Sequence, residues 1–238
     1  MNIAAQNLDF RELNSLVNSA EGSISIDGCC GQRFIGCASK GKKIIINGTP
    51  GNALGAYLDG SFIEVNGNAQ DAAADTMNDG RIVIRGSAGD ALGYAMRGGS
   101  VFVQGNTGYR TGIHMKEYED KKPVIVIGGR AGSFLGEYLA GGLIIVLGIG
   151  SEDVPVGNFT GTGMHGGRIF IRTDKELSGL PEQVTAETAG EDDLDEIAKH
   201  VIEFSSFFGT DAQQLLKEKF CVLKPNAKNP YTQMYTAN

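Results

Sequence analysis

Tryptophan is absent from this sequence, and proline, cysteine and histidine are scarce: six, four and three in 238 residues. Four cysteines are too few for a disulfide-built scaffold. Cys29 and Cys30 are adjacent and poorly placed to grip one ion, no CxxC pair occurs, and His114, His165 and His200 lie far from them, so no metal site is expected. Positive charge is also short. A net charge of −7 excludes a general nucleic-acid binder, which needs a basic surface to displace counterions. No apolar run approaches the ~20 residues of a membrane span. The opening MNIAAQNLDF lacks the basic-then-apolar layout of a secretion signal, so the expected location is cytoplasmic.

Glycine is what the chain has in excess: 35 residues, about 15%, against a usual ~7%. They do not recur at every third position, and hydrophobic residues make up 41% of the chain, so neither collagen nor disorder explains them. Their role must lie in turns and close backbone approaches.

Laid in register, the glycines close a phrase written eight times: Ile or Val, any residue, Ile or Val, any residue, Gly. The first member is Ile24, Ile44, Ile63, Ile82, Val101, Ile125, Ile144 and Ile169; the third is Ile26, Ile46, Val65, Ile84, Val103, Ile127, Val146 and Ile171. The closing residues Gly28, Gly48, Gly67, Gly86, Gly105, Gly129, Gly148 and Thr173 step by 20, 19, 19, 19, 24, 19 and 25. β-Branched residues at spacing two make one face of a strand. Ten residues past the closing Gly recur Leu58, Met77, Met96, Met115 and Leu139, and seven past it Gly55, Ala74, Gly93, Gly112 and Gly136.

A unit of this length cannot bury its Ile/Val row alone and needs an equivalent row above and below. A Rossmann-like fold would need a helix between parallel strands, and connectors of about 14 residues with fixed glycines do not suit one. Leucine-rich repeats would show Leu and Asn columns, which are missing. The expected fold is all-β, a right-handed parallel β-helix of about seven to eight coils over residues 23–174. A helical cap precedes it (1–22) and a linker with a helical and extended tail follows (175–238).

In the cap, 7–20 forms an amphipathic helix with Phe10, Leu13, Leu16 and Val17 on one face and Asp9 with Glu12 as a capping box. In the tail, 175–190 reads as linker, and 191–205 as a helix with Leu194, Ile197, Ala198, Val201 and Ile202 on one face. A second helix starts at Thr210 with Gln213, and 220–235 (FCVLKPNAKNPYTQMY) reads as extended.

Two insertions lengthen the coils, at 116–123 and 149–158, and insertions in solenoids go to surface loops that often touch partners. The middle residue of the phrase should face water, yet from the fourth coil it is Val83, Phe102, Val126, Ile145 and Phe170. Either the chain's tail or another subunit must cover this stripe. The candidate interface residues are therefore these five, with Glu117 and Tyr118 on the first insertion.

Chemistry is harder to find. Gly86-Ser87-Ala88-Gly89 and Gly129-Arg130-Ala131-Gly132 follow strands as a dinucleotide loop would, but they recur in nearly every coil and lead to strands rather than helices. Asp27 and Glu64 stand alone on the outward columns, giving little to a carbohydrate-active β-helix enzyme, which stays a lesser alternative.

The stretch Gly67-Asn68-Ala69-Gln70-Asp71 … Asp79-Gly80-Arg81-Ile82-Val83-Ile84, with Gly136 through Gly148, Asn158-Phe159 and Gly163-Met164-His165-Gly166-Gly167, resembles the GXGXG β-helix domain at the C-terminus of the glutamate synthase large subunit. His200, Thr210–Leu216 and Phe220–Pro225 resemble the end of that protein, with Cys221 and Leu223 departing from its pattern. The resemblance implies a non-catalytic structural subunit of a split glutamate synthase. Its expected partners are a glutaminase-like subunit and an FMN-barrel synthase subunit that would hold the FMN and iron–sulfur cluster. It puts no catalytic, cofactor-binding or metal residue in this chain, whose start, MNIAA, has no nucleophilic Cys. The same domain type occurs in formylmethanofuran dehydrogenase and formyltransferase/hydrolase complexes, which is the alternative. Homo-oligomerisation stays open.

Overall fold

In a computed structural model, which describes residues 1–226, each Ile/Val phrase is a strand. They are β2 (Ser23–Cys30), β3 (Lys43–Thr49), β4 (Asp59–Asn66), β5 (Asp79–Ile84), β6 (Ser100–Val103), β7 (Val124–Ile127), β8 (Ala140–Val146) and β9 (Gly166–Arg172). All pair in parallel with their sequence neighbours. The register is the one the phrase dictates: Ile24 pairs with Ile44, Ile44 with Ile63, Ile63 with Ile82, and so on to Ile144 with Ile169. The chain is a parallel β-helix of about eight turns.

The interior is made by two walls. The Ile/Val rows face the Leu/Met row, and Leu58, Met77, Met96, Met115, Leu139 and Met164 are all fully buried. The walls approach so closely that a Cβ on Gly55, at φ +62°, would lie 2.6 Å from Ile82 Cδ1 on the strand side. Gly93, Gly112 and Gly136, at the same place in later coils, make room in the same way for Ile125, Ile144 and Ile169.

Both ends are closed by the chain itself. At the start, β1 (Asn2–Ala4) adds a parallel rung to β2. Helix α1 (Phe10–Ser19) then covers the open end with Leu13 and Val17 fully buried, while Leu16 of the expected apolar face is exposed. Asp9 Oδ1 accepts from the N–H of Glu12 at 2.9 Å, and Glu12 Oε2 accepts from that of Asp9 at 3.1 Å, so the capping box forms.

At the far end, β11 (Phe220–Pro225) pairs antiparallel with β9, and β10 (Val184–Thr188) pairs antiparallel with β11, completing one eleven-stranded sheet. The stretch 175–190 is thus more than a linker, since it carries an edge strand. Between β10 and β11 come α2 (Glu191–Phe208), ended by Gly209 at φ +72°, and α3 (Ala212–Lys217). Helix α2 runs three residues past its expected end at 205. Helix α3 starts later than expected, because Asp211 rather than Thr210 caps it, accepting from the N–H of Gln214 at 3.1 Å. The expected extended stretch is a strand as far as Pro225, and its residues from 227 onward lie outside the described ones.

Candidate interaction faces

The outer stripe and the tail form a second apolar core. Val83, Phe102, Val126, Ile145 and Phe170 are 0% exposed, packed with Ile197, Val201 and Phe204 of α2, Leu215 of α3 and Val222 of β11. Of the two covers the sequence allowed, the chain's own tail is the one in place. As contacts for another subunit, the five stripe residues are out of reach, because α2 occupies their outer face. Ile202, expected on the inner face of α2, instead points to solvent at 56% exposure.

A row of ion pairs clasps the helix. Asp193, Glu196 and Glu203 follow one edge of α2, and their partners come from well-separated coils. Arg168 meets Asp193 at 2.9 Å and Glu196 at 2.8 Å, Lys122 meets Glu196 at 2.6 Å, and Arg81 meets Glu203 at 2.6 Å. His200 sits in this row and is buried, its Nδ1 without a hydrogen-bond partner. Burial first, then the cations Lys199 and Lys122, with Arg81 adding and Glu196 opposing, push its pKa down to about 4.

The other sequence candidates stand apart from this face. Glu117 and Tyr118 are exposed on the first insertion, a tight turn in which Tyr118 and Lys121 exchange backbone hydrogen bonds of 3.0 and 3.1 Å. Glu117 also reaches back, accepting from the N–H of Gly142 at 3.1 Å.

The glycine loops bind the neighbouring coil. Asn68 Oδ1 accepts from the N–H of Ser87, Ser87 Oγ from Asn106, and Asn106 Oδ1 from Arg130; one column over, Asp71 Oδ1 accepts from Asp90 and Asp90 Oδ1 from Tyr109. A Cβ on Gly89 would lie 2.1 Å from Asp71 Oδ1, and one on Gly108 would lie 2.1 Å from Asp90 Oδ1. These amides, which could have faced a phosphate, already hold a side-chain oxygen from the coil below.

The lone acids are likewise engaged. Asp27 accepts from Asn47 Nδ2 at 2.6 Å, and Glu64 pairs with Arg85 at 2.7 Å. Burial pushes the Cys29 thiol up to about 11. No group of three or more metal-ligating side chains occurs among the described residues. An open cleft of about 410 Å³ lies between the second insertion and α3. Two ion pairs line it, Arg172 with Glu218 and Lys175 with Asp153.

One feature that sequence reasoning missed is the wall opposite the strands, the far side of the rod from the tail. There Tyr94 meets His114 edge to face and His114 stacks on Tyr138 in successive coils, with ring centroids 5.9 and 5.0 Å apart. Beside them Phe134 and Phe159 stack at 5.0 Å, with the Arg110 guanidinium 4.9 Å over the Phe134 ring and 3.0 Å from Glu137. Phe159 is 54% exposed and Tyr109 is 53% exposed. The signal was present in the sequence five and nine residues past each closing Gly, where Arg110, Phe134, His114 and Tyr138 fall.

Fold and faces together define a β-helix scaffold: a rod whose polar groups tie coil to coil and whose strand side is sealed by its own tail. The GXGXG motif family matches residues 14–226, and the chain belongs to that family, the domain type that ends the large subunit of glutamate synthase. The sequence is 43% identical to an uncharacterized protein of Methanocaldococcus jannaschii over 98% of this chain and 95% of that one. The fold resembles a chain of the formyltransferase/hydrolase complex of Methylorubrum extorquens, solved with methylofuran. The TM-score is 0.61 at 21% identity, covering 84% of this chain and 71% of that one. No described helix is long and apolar enough to cross a membrane.

Proposed function

We propose that this chain is a non-catalytic structural subunit of a glutamate-synthase-like complex, in which it holds a glutaminase-like subunit and an FMN- and iron–sulfur-containing barrel subunit together in the cytoplasm. One observation carries the reading. The amides and carboxylates of the glycine loops, the groups with chemistry to offer, are spent on joining one coil to the next. The reading is supported by membership of a family typified by a glutamate synthase domain. The flavin and the cluster belong to the partners in this scheme.

The alternative is the equivalent place in a formyl-transfer complex, favoured by the fold likeness to the formyltransferase/hydrolase chain. The two separate in a reconstitution. Purified glutaminase-like and barrel subunits from the same cell, mixed with and without this chain, are assayed for glutamine-dependent glutamate formation from 2-oxoglutarate. The expected result is activity that requires this chain, with none from the chain alone. Full activity without it overturns the proposal, and co-purification with amidohydrolase-like and formyltransferase subunits selects the alternative.

A further inference from the structure

The two ends of the rod are finished differently. The sheet begins at β1, an edge of three residues, beside an end closed by α1. It ends at β10, beyond which no described strand lies. The hydrogen bonds of β10 identify which of its groups are spent. Asn226 N–H donates to Gln183 O at 2.8 Å and Ala189 N–H to Phe220 O at 2.9 Å, so the odd-numbered residues face β11. The N–H and C=O groups of Val184, Ala186 and Thr188 therefore point off the end of the sheet. Val184 N–H turns back to Pro181 O at 3.0 Å, whereas those of Ala186 and Thr188 meet no described residue. Residues 185–188 are all exposed.

Native edges are blunted by extreme shortness, by lysine or proline, or by an inward-pointing charge, and β10 has none of these. Its one charge, Glu187, lies on the outer face and pairs with Lys224 at 3.4 Å. Its inner face continues the interior, with Ala186 beside Leu223 and Thr188 beside Cys221. An open groove of about 380 Å³ runs between β10 and residues 173–177. Leu177 and Leu180, at the same end, are only partly buried against the core. A solenoid whose last coil is unpaired and apolar needs a cap.

We infer that this end docks a second copy of the chain, β10 against β10 antiparallel about a twofold at Ala186, so that the two eleven-stranded sheets run into one. A strand that pairs with its own copy has few registers to choose from. With Ala186 opposite Ala186 of the other copy, each Ala186 N–H donates to the other's C=O. Each Thr188 N–H then donates to Val184 C=O of the other copy. Four backbone bonds form, and no outward N–H of β10 is left without a partner. Glu187 falls across from Thr185. A twofold at Glu187 would instead set two carboxylates face to face, and one at Thr185 would carry Thr188 past the strand to Glu182. On the inner face the small Ala186 side chains meet at the axis, which lets the two interiors approach. The end of such a rod offers on the order of 500 Å² per copy, the weak end of specific interfaces, so the dimer is concentration-dependent. The inference concerns the chain alone and does not rest on which complex it serves.

The test is sedimentation equilibrium of the full chain up to ~100 µM, a range that reveals modest self-association. The monomer mass is 25.2 kDa, and the wild type is expected to approach twice that mass. Ala186→Pro removes an N–H that β11 does not use, a place where an edge strand accepts proline. It deletes both central bonds of the dimer and is expected to weaken it about tenfold or more. Ala186→Lys and Ala186→Glu each set like charges against themselves at the axis, and each is expected to dimerise poorly alone. An equimolar mixture of the two sets Lys against Glu and is expected to recover the dimer. Melting curves establish that each variant is folded, and the charged pair carries the test if Ala186→Pro is not. A wild type that stays monomeric overturns the inference, as does a dimer indifferent to these substitutions or a mixture no better than its components. Dimerisation only after removal of residues 227–238 also overturns it, because the chain's own last residues would then be what occupies the edge.

Discussion

Phe102 of β6 and Phe207 of α2 lie with ring centroids 5.3 Å apart, and Phe207 also leans on Phe62 at 6.5 Å. A side chain at the outward position of a strand and one near the end of a helix more than a hundred residues later thus share one apolar layer. The tail is part of the folded rod. Its removal would expose the whole outer stripe to water.

Phe102→Ala is therefore expected to destabilise the chain by about 3–5 kcal/mol, the cost of emptying a fully buried aromatic site. Tyr57→Ala, at a site 52% exposed, should change stability by no more than about 0.5 kcal/mol. Urea denaturation of both variants checks the contrast. Hydrogen exchange should show the loss of protection in Phe102→Ala reaching residues 191–208 of α2.

The coil-to-coil hydrogen bonds predict a similar contrast among glycines. Gly89→Ala places a methyl 2.1 Å from Asp71 Oδ1 and close to backbone that cannot yield, and should cost about 1–3 kcal/mol. Gly190→Ser meets nothing within 4 Å, has extended backbone at the N-cap of α2, and adds a capping hydroxyl. It should be neutral or stabilise by a few tenths of a kcal/mol. Thermal melts that ranked the two alike would count against this view of the glycine loops.

Acid should loosen the tail through His200. Its pKa is about 4 in the fold against 6.5 in the open chain, so between those values the unfolded state binds the extra proton. The contribution is fully present above pH 6.5 and is lost as pH falls toward 4. Denaturation midpoints measured across that window should fall with pH in the wild type, and fall less steeply in His200→Phe. Equal slopes in the two proteins would remove His200 from the account.

The thiols should separate by burial. Cys30 is exposed, whereas Cys29 is buried and its thiol is pushed up to about 11. At pH 8, iodoacetamide followed by peptide mass analysis should find Cys30 alkylated well before Cys29, with the two equalising only under denaturant. Comparable rates in the folded protein would contradict the burial of Cys29 in β2.

Much of this architecture is legible in the sequence because a parallel stack repeats its constraints. Sixteen inward Ile or Val positions set both strand and register, and the apolar middle column announced that something must lie on it. What escaped notice lacked a repeating partner. Strand β1 is three residues long, and β10 (VTAET) is an edge strand with only Val184 buried, so neither carries an alternating pattern. The aromatic wall escaped for a different reason. Its side chains leave a backbone with positive φ at Arg110, His114, Phe134 and Tyr138, and neither the strand nor the helix period predicts which way such residues point. Glu117 and Tyr118 were found by insertion length alone, and the structure leaves them exposed on a loop.

The central claim, that the chain is a structural subunit rather than a free-standing enzyme, meets its most direct test in its own cell. The chain is tagged at its native locus, isolated at native abundance, and the intact assembly weighed by native mass spectrometry. The account predicts a stoichiometric complex with a flavin-bearing barrel subunit and a glutaminase-like subunit. Recovery of the chain alone or only with itself, from cells that contain both of those proteins, would contradict it.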